Sequence, residues 1–309
     1  MPNIGTSFQL IGFEENLSAS NCQVEVGALA ALTQETPVGR IAVGSGENQS
    51  VTRAIELLNL LADSAEPLGV RDIARRIDVA PSNVQRLINT LTKAGFLEQS
   101  ESNGRYKIGH RAFRVGSAFV EQNNLYSAAM PELYHLASLH ITGFLGVLRD
   151  NMVVYLATVQ SEGPVAVTHR PGSQTYLHST AMGKALLAEM DDARIKSILT
   201  ARPLPRLTPR TQISVPQLLK EIETIRRTGV AISEEENRYG FFSAGTVVRD
   251  FSGTAIAVIS GAVPAALMKP DDRAKIADHV YQAAQNTSLK LGAPIRRREA
   301  PYKPGRKAR

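Results

Sequence analysis

Residues 79–95, VAPSNVQRLINTLTKAG, leave little choice of local structure. Pro81 is compatible with the first turn of a helix, and Gly95 suits the left-handed residue that ends one. The segment between them is therefore a short helix of about four turns. Val84, Leu87, Ile88, Leu91 and Ala94 fall on one of its faces, leaving Ser82, Asn83, Gln85, Arg86, Asn89, Thr90 and Lys93 for the other. Two further helices precede it. SVTRAIELLNLLAD has Val51, Ile55, Leu58 and Leu61 at helical spacing, with Ser50 as the expected cap. EPLGV breaks that pattern, and RDIARRID follows with Ile73 and Ile77 on one face. FLEQSESNGRYKIG then reads as two strands around a turn at Asn103-Gly104. Three helices and a hairpin in so short a span outline a winged helix-turn-helix.

A polar helix face of this composition suits the major groove, where Arg pairs with guanine and Asn or Gln with adenine. Gln85, Arg86, Asn89, Thr90 and Lys93 are the candidates there. Ser82 and Asn83, at the helix N-terminus, are placed to meet phosphates, and Arg105 and Lys107 belong to the wing. For an isolated amphipathic helix a solvated face is the simpler reading, but the flanking short helix and hairpin favour DNA. Net charge does not decide the matter. The chain carries +6, yet eight basic residues and one acid lie in 290–309, and residues 49–111 hold nine basic against seven acidic side chains.

At 309 residues the chain fits two modest domains plus tails. It has no apolar run of membrane-spanning length, its first basic residue is Arg40, and Cys22 is its only cysteine. The expectation is a cytoplasmic protein with no membrane association, no disulfide framework and no cysteine metal site. Residues 1–48 show no sustained period and end in VGSGENQS, which reads as a mobile extension. Downstream of the hairpin, HRAFRVGSAFVEQNN and LYSAAMPELYHLASLHI read as helices, with Phe113, Val115, Phe119 and Val120 available for dimer contacts or ordinary packing. Strand patterns follow in GFLGVLRDNMVVYLATV, PVAVTHR, VAISEEE, FFSAGTVVRD and TAIAVISGAV. Helices are expected after Ala181, over QLLKEIETIRRTG and over PDDRAKIADHVYQAAQNTSLKLG.

LHSTAMGKALL, residues 177–187, has three readings. A phosphate loop fails because Gly183-Lys184 is followed by Ala185 and lacks the preceding glycine. A Ser/His catalytic pair is disfavoured because Ser179 is not in a G-x-S-x-G turn and neighbours on a strand face opposite ways. Small residues before a helix are left, either flooring a pocket or simply allowing close packing. Glu234, Glu235 and Glu236 read as a solvated turn rather than a metal site. His135, His140, His169 and His178 lack ligand spacing. No metal, cofactor or catalytic set is expected.

VTRAIELLNLLAD, LGVRDIARRIDVAPSNVQRLINTLTKAGFLE and YKIG together resemble the DNA-binding domain of IclR-type bacterial transcriptional regulators. LHSTAMGKALLA and GVAISEEENRYGFFSAGTVVRDFSGTAIAVISGAVP resemble two signatures of that family's effector domain, in the same order. The resemblance implies an α+β two-domain fold: an N-terminal winged helix-turn-helix, a linker helix and a C-terminal GAF-like α/β effector domain. The expected boundaries are 1–48 for the extension, 49–111, 112–128 for the linker, 129–292, and 293–309 for a basic disordered tail. It implies a non-enzymatic regulator, dimeric or tetrameric, that binds a palindromic double-stranded operator and a small organic or aromatic acid. Mapped onto this chain, the family's effector positions are Ala181, Met182, Ser233, Phe241, Ser243 and Ser260. The chain departs from the common pattern at Asn83, Gln85, Ser233 and Val247. An architectural DNA binder whose second domain only oligomerises, or an enzyme with a DNA-binding appendage, are the alternatives. The tail is expected either to attract DNA without sequence preference or merely to be solvated.

Overall fold

The computed structural model describes residues 48–121, 124–162, 169–269, 271–295 and 298–302, with backbone only at 119–121. Helices α1 (Gln49–Ala62), α2 (Val70–Ile77) and α3 (Pro81–Lys93) precede strands β1 (Leu97–Gln99) and β2 (Tyr106–Ile108). Asn48, not Ser50, caps α1: its Oδ1 accepts from the backbone N–H of Ser50 and Val51. This places Ser50 inside the first turn, where a capping oxygen cannot reach forward. Leu57 and Leu61 enter the core with Ile73, Ile77, Val84, Ile88 and Leu97, while Val51 and Ile55 stay exposed. Asp78, in the left-handed region, ends α2 and turns the chain into α3. Gly95, at φ +77°, ends α3 in a Schellman-type turn closed by Phe96 N–H on Leu91 C=O. The wing tip is wider than a two-residue turn. Ser100 N–H donates to Arg105 C=O, and Leu68 bridges Tyr106 as a further pairing residue.

The two helices expected downstream of the hairpin are α4 (His110–Glu121) and α5 (Asn124–Ser138), the second with Pro131 inside it, so the expected 112–128 linker spans parts of both. Phe113 and Val115 on α4 are 79% and 59% exposed; the side chains of Phe119 and Val120 lie outside the described residues.

Beyond α5 a six-stranded antiparallel sheet runs β5-β4-β3-β8-β7-β6. Its members are β3 (Thr142–Arg149), β4 (Met152–Val159), β5 (Gln174–Thr175), β6 (Ala231–Glu234), β7 (Phe241–Arg249) and β8 (Ala255–Pro264). Asp150 and Asn151, both at positive φ, make the tight β3–β4 turn. Between β5 and β6 lie α6 (Ala181–Leu187), α7 (Asp192–Thr200) and α8 (Val215–Thr228). After β8 a 3₁₀ turn, Ala265–Leu267, leads to α9 (Asp272–Lys290). One face of the sheet packs on α5 and α9 through Leu133, Leu136, Ile276 and Val280. The other packs on α6, α7 and α8 through Met182, Leu187, Ile195, Leu218 and Ile222. Sandwiched this way, β8 is buried along almost its whole length, which explains its continuous apolar run.

Several expectations shift in detail. VAISEEE is a strand only to Glu234, and most of PVAVTHR lies outside the described residues. Neither α7 nor β5 was legible in the sequence. Within the expected tail, Arg298 pairs with Asp278 and lies over the Tyr281 ring, and Tyr302 packs against the core; 303–309 lie outside the described residues, as do 1–47. No described helix is long and apolar enough to cross a membrane.

Gly183 fixes how closely α6 approaches the chain before it, because a Cβ there would sit 2.4 Å from Leu177 Cα and O. Gly183→Ala is expected to destabilise the protein by about 1–3 kcal/mol, read as a lower urea midpoint by circular dichroism.

Candidate functional site

The polar face of α3 stands clear of the core. Ser82, Asn83, Arg86, Asn89, Thr90 and Lys93 are exposed and Gln85 is half-buried. Some of these groups are already engaged. Gln85 Nε2 donates to Asn89 Oδ1 at 2.8 Å, and Thr90 Oγ1 donates to Arg86 C=O at 3.0 Å. Arg86 has no ion-pair partner among the described residues. On the wing, Arg105 is exposed, with Nη1 donating to Pro67 C=O at 3.3 Å. Lys107 sits 3.5 Å from Glu98, its cross-strand partner. The His110 backbone N–H and the Lys107 charge hold the Glu98 carboxyl below its usual range, so it stays charged beside Lys107. α3 therefore offers two cations without an ion-pair partner among the described residues, Arg86 and Lys93, and several amides, whereas the wing offers Arg105 and a Lys107 shared with an acid.

In the second domain, the six expected effector positions line one small cavity of about 50 Å³ between the sheet and the start of α6. Ala181 and Met182 come from α6, Ser233 from β6, Phe241 and Ser243 from β7, and Ser260 from β8. Phe144, Tyr155, His169, Thr180, Asn237, Arg238 and Ala262 complete the described lining. Thr180 belongs to the small-residue stretch read as a possible pocket floor; none of the other six was singled out for the cavity from the sequence. Phe144 and Tyr155 looked like ordinary strand residues, and Asn237 and Arg238 follow an acidic run with no motif of their own. His169 stacks on Tyr155, centroids 4.2 Å apart and planes at 6°, and Phe144 meets both rings edge-on at 5.7 Å. Burial, with a smaller contribution from Arg238, pushes the His169 pKa down to about 4, so the ring is neutral at physiological pH. Burial likewise drives the Tyr155 phenol well above its usual range.

The alternatives for LHSTAMGKALL are settled by its partners. His178 Nε2 lies 3.0 Å from Pro205 C=O, while Ser179 Oγ donates to Asn237 Oδ1 at 3.0 Å, so the two side chains serve different segments. Thr180 caps α6, accepting from Gly183 N–H at 3.0 Å, and its own hydroxyl donates to Tyr176 C=O. Ser233 Oγ donates to Ser179 C=O at 2.8 Å, and Ser243 Oγ donates to Ser233 C=O at 3.4 Å. Pocket floor and close packing are both realised here, because the same small residues do both.

The expected solvated turn at Glu234–Glu236 is instead an ion-paired brace. Glu234 pairs with Arg273, Glu235 with Arg210 and Glu236 with Lys184. Lys184, 2% exposed, donates to Glu236 Oε1 at 2.6 Å and to Glu221 Oε2 at 3.1 Å. Thr208 and Thr211 hydroxyls donate to the carbonyls of Glu235 and Glu236, and Gly240 N–H donates to Glu235 Oε1. The acids are not solvated because the proline-rich stretch between α7 and α8 folds over them, a contact invisible at that sequence separation. Burial raises the Glu236 pKa and Lys184 opposes the rise. No group of three His, Cys, Asp or Glu side chains among the described residues is placed to hold a metal ion.

Two sequence families match in the expected order. Residues 50–101 match the IclR helix-turn-helix domain, and residues 117–289 match the bacterial transcriptional regulator IclR C-terminal family. The chain belongs to the IclR family of bacterial transcriptional regulators. It is 32% identical over 248 residues to the HTH-type transcriptional regulator BhcR of Paracoccus denitrificans, covering 79% of this chain and 88% of BhcR. The crystal structure of Thermotoga maritima IclR superposes with a TM-score of 0.67 at 26% identity, over 79% of this chain and 98% of that one. An IclR homologue from Microbacterium hydrocarbonoxydans, crystallised with 4-hydroxybenzoate, shares the fold at a TM-score of 0.71 and 20% identity, covering 79% of this chain and 99% of that one. This IclR-family protein is thus a helix-turn-helix, DNA-binding transcriptional regulator.

Two consequences of this geometry are measurable. Lys184→Ala leaves Glu236 buried without its cation and should cost about 3–5 kcal/mol in chemical denaturation; Lys184→Met with Glu236→Leu should recover most of that loss. Because the folded-state pKa of His169 lies below 6.5, its contribution is complete above pH 6.5 and is lost as pH falls toward about 4. The melting temperature should fall across that window, and His169→Phe should flatten the fall.

Proposed function

We propose that α3 reads the operator and that the cavity at the start of α6 receives a small organic or aromatic acid that modulates operator binding. The observation that carries the effector half is the convergence of Ala181, Met182, Ser233, Phe241, Ser243 and Ser260, contributed by four separate elements, on one cavity. Small and apolar groups with a few hydroxyls suit a compact acid, and the Tyr155–His169–Phe144 wall suits a planar one. The 4-hydroxybenzoate held by the Microbacterium homologue is consistent with that class. At about 50 Å³ the cavity is small, so a ring-sized acid enters only if the lining opens. The effector then acts by its differential affinity for two arrangements of the protein, a coupling of about 1–3 kcal/mol in typical cases.

On the DNA side, Arg86, Asn89 and Gln85 are assigned to base edges, Ser82, Asn83, Thr90 and Lys93 to the flanks of the groove, and Arg105 and Lys107 to the backbone beside the wing. The exposed Phe113 and Val115 of α4 support a two-fold dimer, which suits a palindromic operator. The protein works in the cytoplasm, without catalysis, as a regulator rather than an enzyme.

The test is a mobility shift of the full-length protein on its own upstream DNA against scrambled DNA at about 150 mM salt. Preference for the upstream fragment, altered by small acids, is expected. Equal, salt-labile binding to both would overturn the operator reading. In the same assay Arg86→Ala should weaken specific binding by about 1–3 kcal/mol and relax the preference at one base position.

A further inference from the structure

We propose that Arg238 gives the effector pocket its selectivity for a carboxylate, acting as the charged partner of the ligand's acid group. The inference rests on the reading of this cavity as the effector site and adds what that reading leaves open, the group that recognises the ligand's charge.

The described lining contains one permanent cation, Arg238, and no Asp or Glu. His169 is the other titratable base in the wall, and burial keeps it neutral, so it adds no second charge. The guanidinium is partly withdrawn from water, and it is close enough to both Tyr155 and His169 to act on them electrostatically. A partly desolvated guanidinium beside an aromatic wall binds carboxylates strongly, because a charge-assisted hydrogen bond is stronger than a neutral one and water competes less for it.

The hydrogen-bonding inventory agrees. The hydroxyl protons of Thr180, Ser233 and Ser243 are committed to backbone carbonyls, and Ser179 donates to Asn237. Ser260 Oγ has no hydrogen-bond partner among the described residues. Among the described lining, a ligand meets a hydroxyl without a hydrogen-bond partner at Ser260 and a cation at Arg238, a pattern that favours an acceptor-rich anion over a donor such as an amine.

The position of Arg238 is also specified. Glu235 is ion-paired to Arg210, Glu236 to buried Lys184, and Asn237 accepts from Ser179, so the three residues before Arg238 are each tied to a different segment. The bracing that organises the domain at this connection also holds in place the loop that presents one charged side chain to the cavity.

The experiment is calorimetric titration of the full-length protein with monocarboxylates of two to seven carbons, each beside its matching neutral amide. For the tightest acid, the unaltered protein is expected to prefer acid over amide by at least about 10-fold. Arg238→Gln should collapse that ratio to about 1 by weakening the acid alone, and Arg238→Lys should keep part of it. If Arg238→Gln does not fold, as judged by its melting curve, a reduced ratio in Arg238→Lys is the deciding result. An undiminished acid preference in the folded variants would overturn the role of Arg238 and leave the acid-effector reading intact. No acid in the series binding the unaltered protein better than its amide would overturn both.

Discussion

The buried ion pair between Lys184 and Glu236 is the contact on which the second domain's organisation depends. Lys184 lies on α6, and Glu236 lies on the β6–β7 connection, 52 residues further along the chain. An ammonium at 2% exposure persists as a charge only if an acid accompanies it. That requirement pins the connection against the helix. Glu235 and Glu234 extend the same logic outward to Arg210 and Arg273, binding the segment after α7 and the start of α9 to the same short loop. The pocket is built at this junction because three elements must meet there to satisfy the charges.

The pocket also stands where the sheet can communicate. Its lining comes from β3, β4, β6, β7 and β8 on the sheet and from α6 above it, while β8 and β7 also pack on α9 below. A ligand that separates α6 from β7 even slightly changes contacts on both layers, since packed interiors do not deform smoothly. The tight approach at Gly183 leaves α6 little freedom to absorb such a shift locally. Under the proposed reading, an effector's influence on DNA binding passes through these shared elements.

The DNA-binding domain was more legible than the pocket. Pro81, Gly95 and the apolar spacing between them are local signals, each acting within a turn or two, and the helix they announce begins and ends within a residue or so of that expectation. Local signals still erred at α1, where Asn48 caps and Val51 and Ile55 face outward. Periodicity there identifies a helix but leaves open which side a second helix will cover. In the effector domain, resemblance supplied six lining positions, and the residues themselves gave no sign of Tyr155, His169 or Arg238. Those three come from a strand, a loop beyond it and a connection about 80 residues later, and no spacing rule links them.

The sequence by itself determined the kinds of elements and their order, because helix punctuation, alternation and turn residues act over a few neighbours. It also determined the polar face of α3, since exposure on that helix follows directly from where its apolar residues lie. Tertiary structure alone decided that three adjacent glutamates are ion-paired rather than solvated, that His169 is a neutral wall of a cavity, and that Arg238 faces the same space. Each of those outcomes depends on desolvation and on charges brought from distant parts of the chain, and neither exists until the sheet and its covering helices have closed.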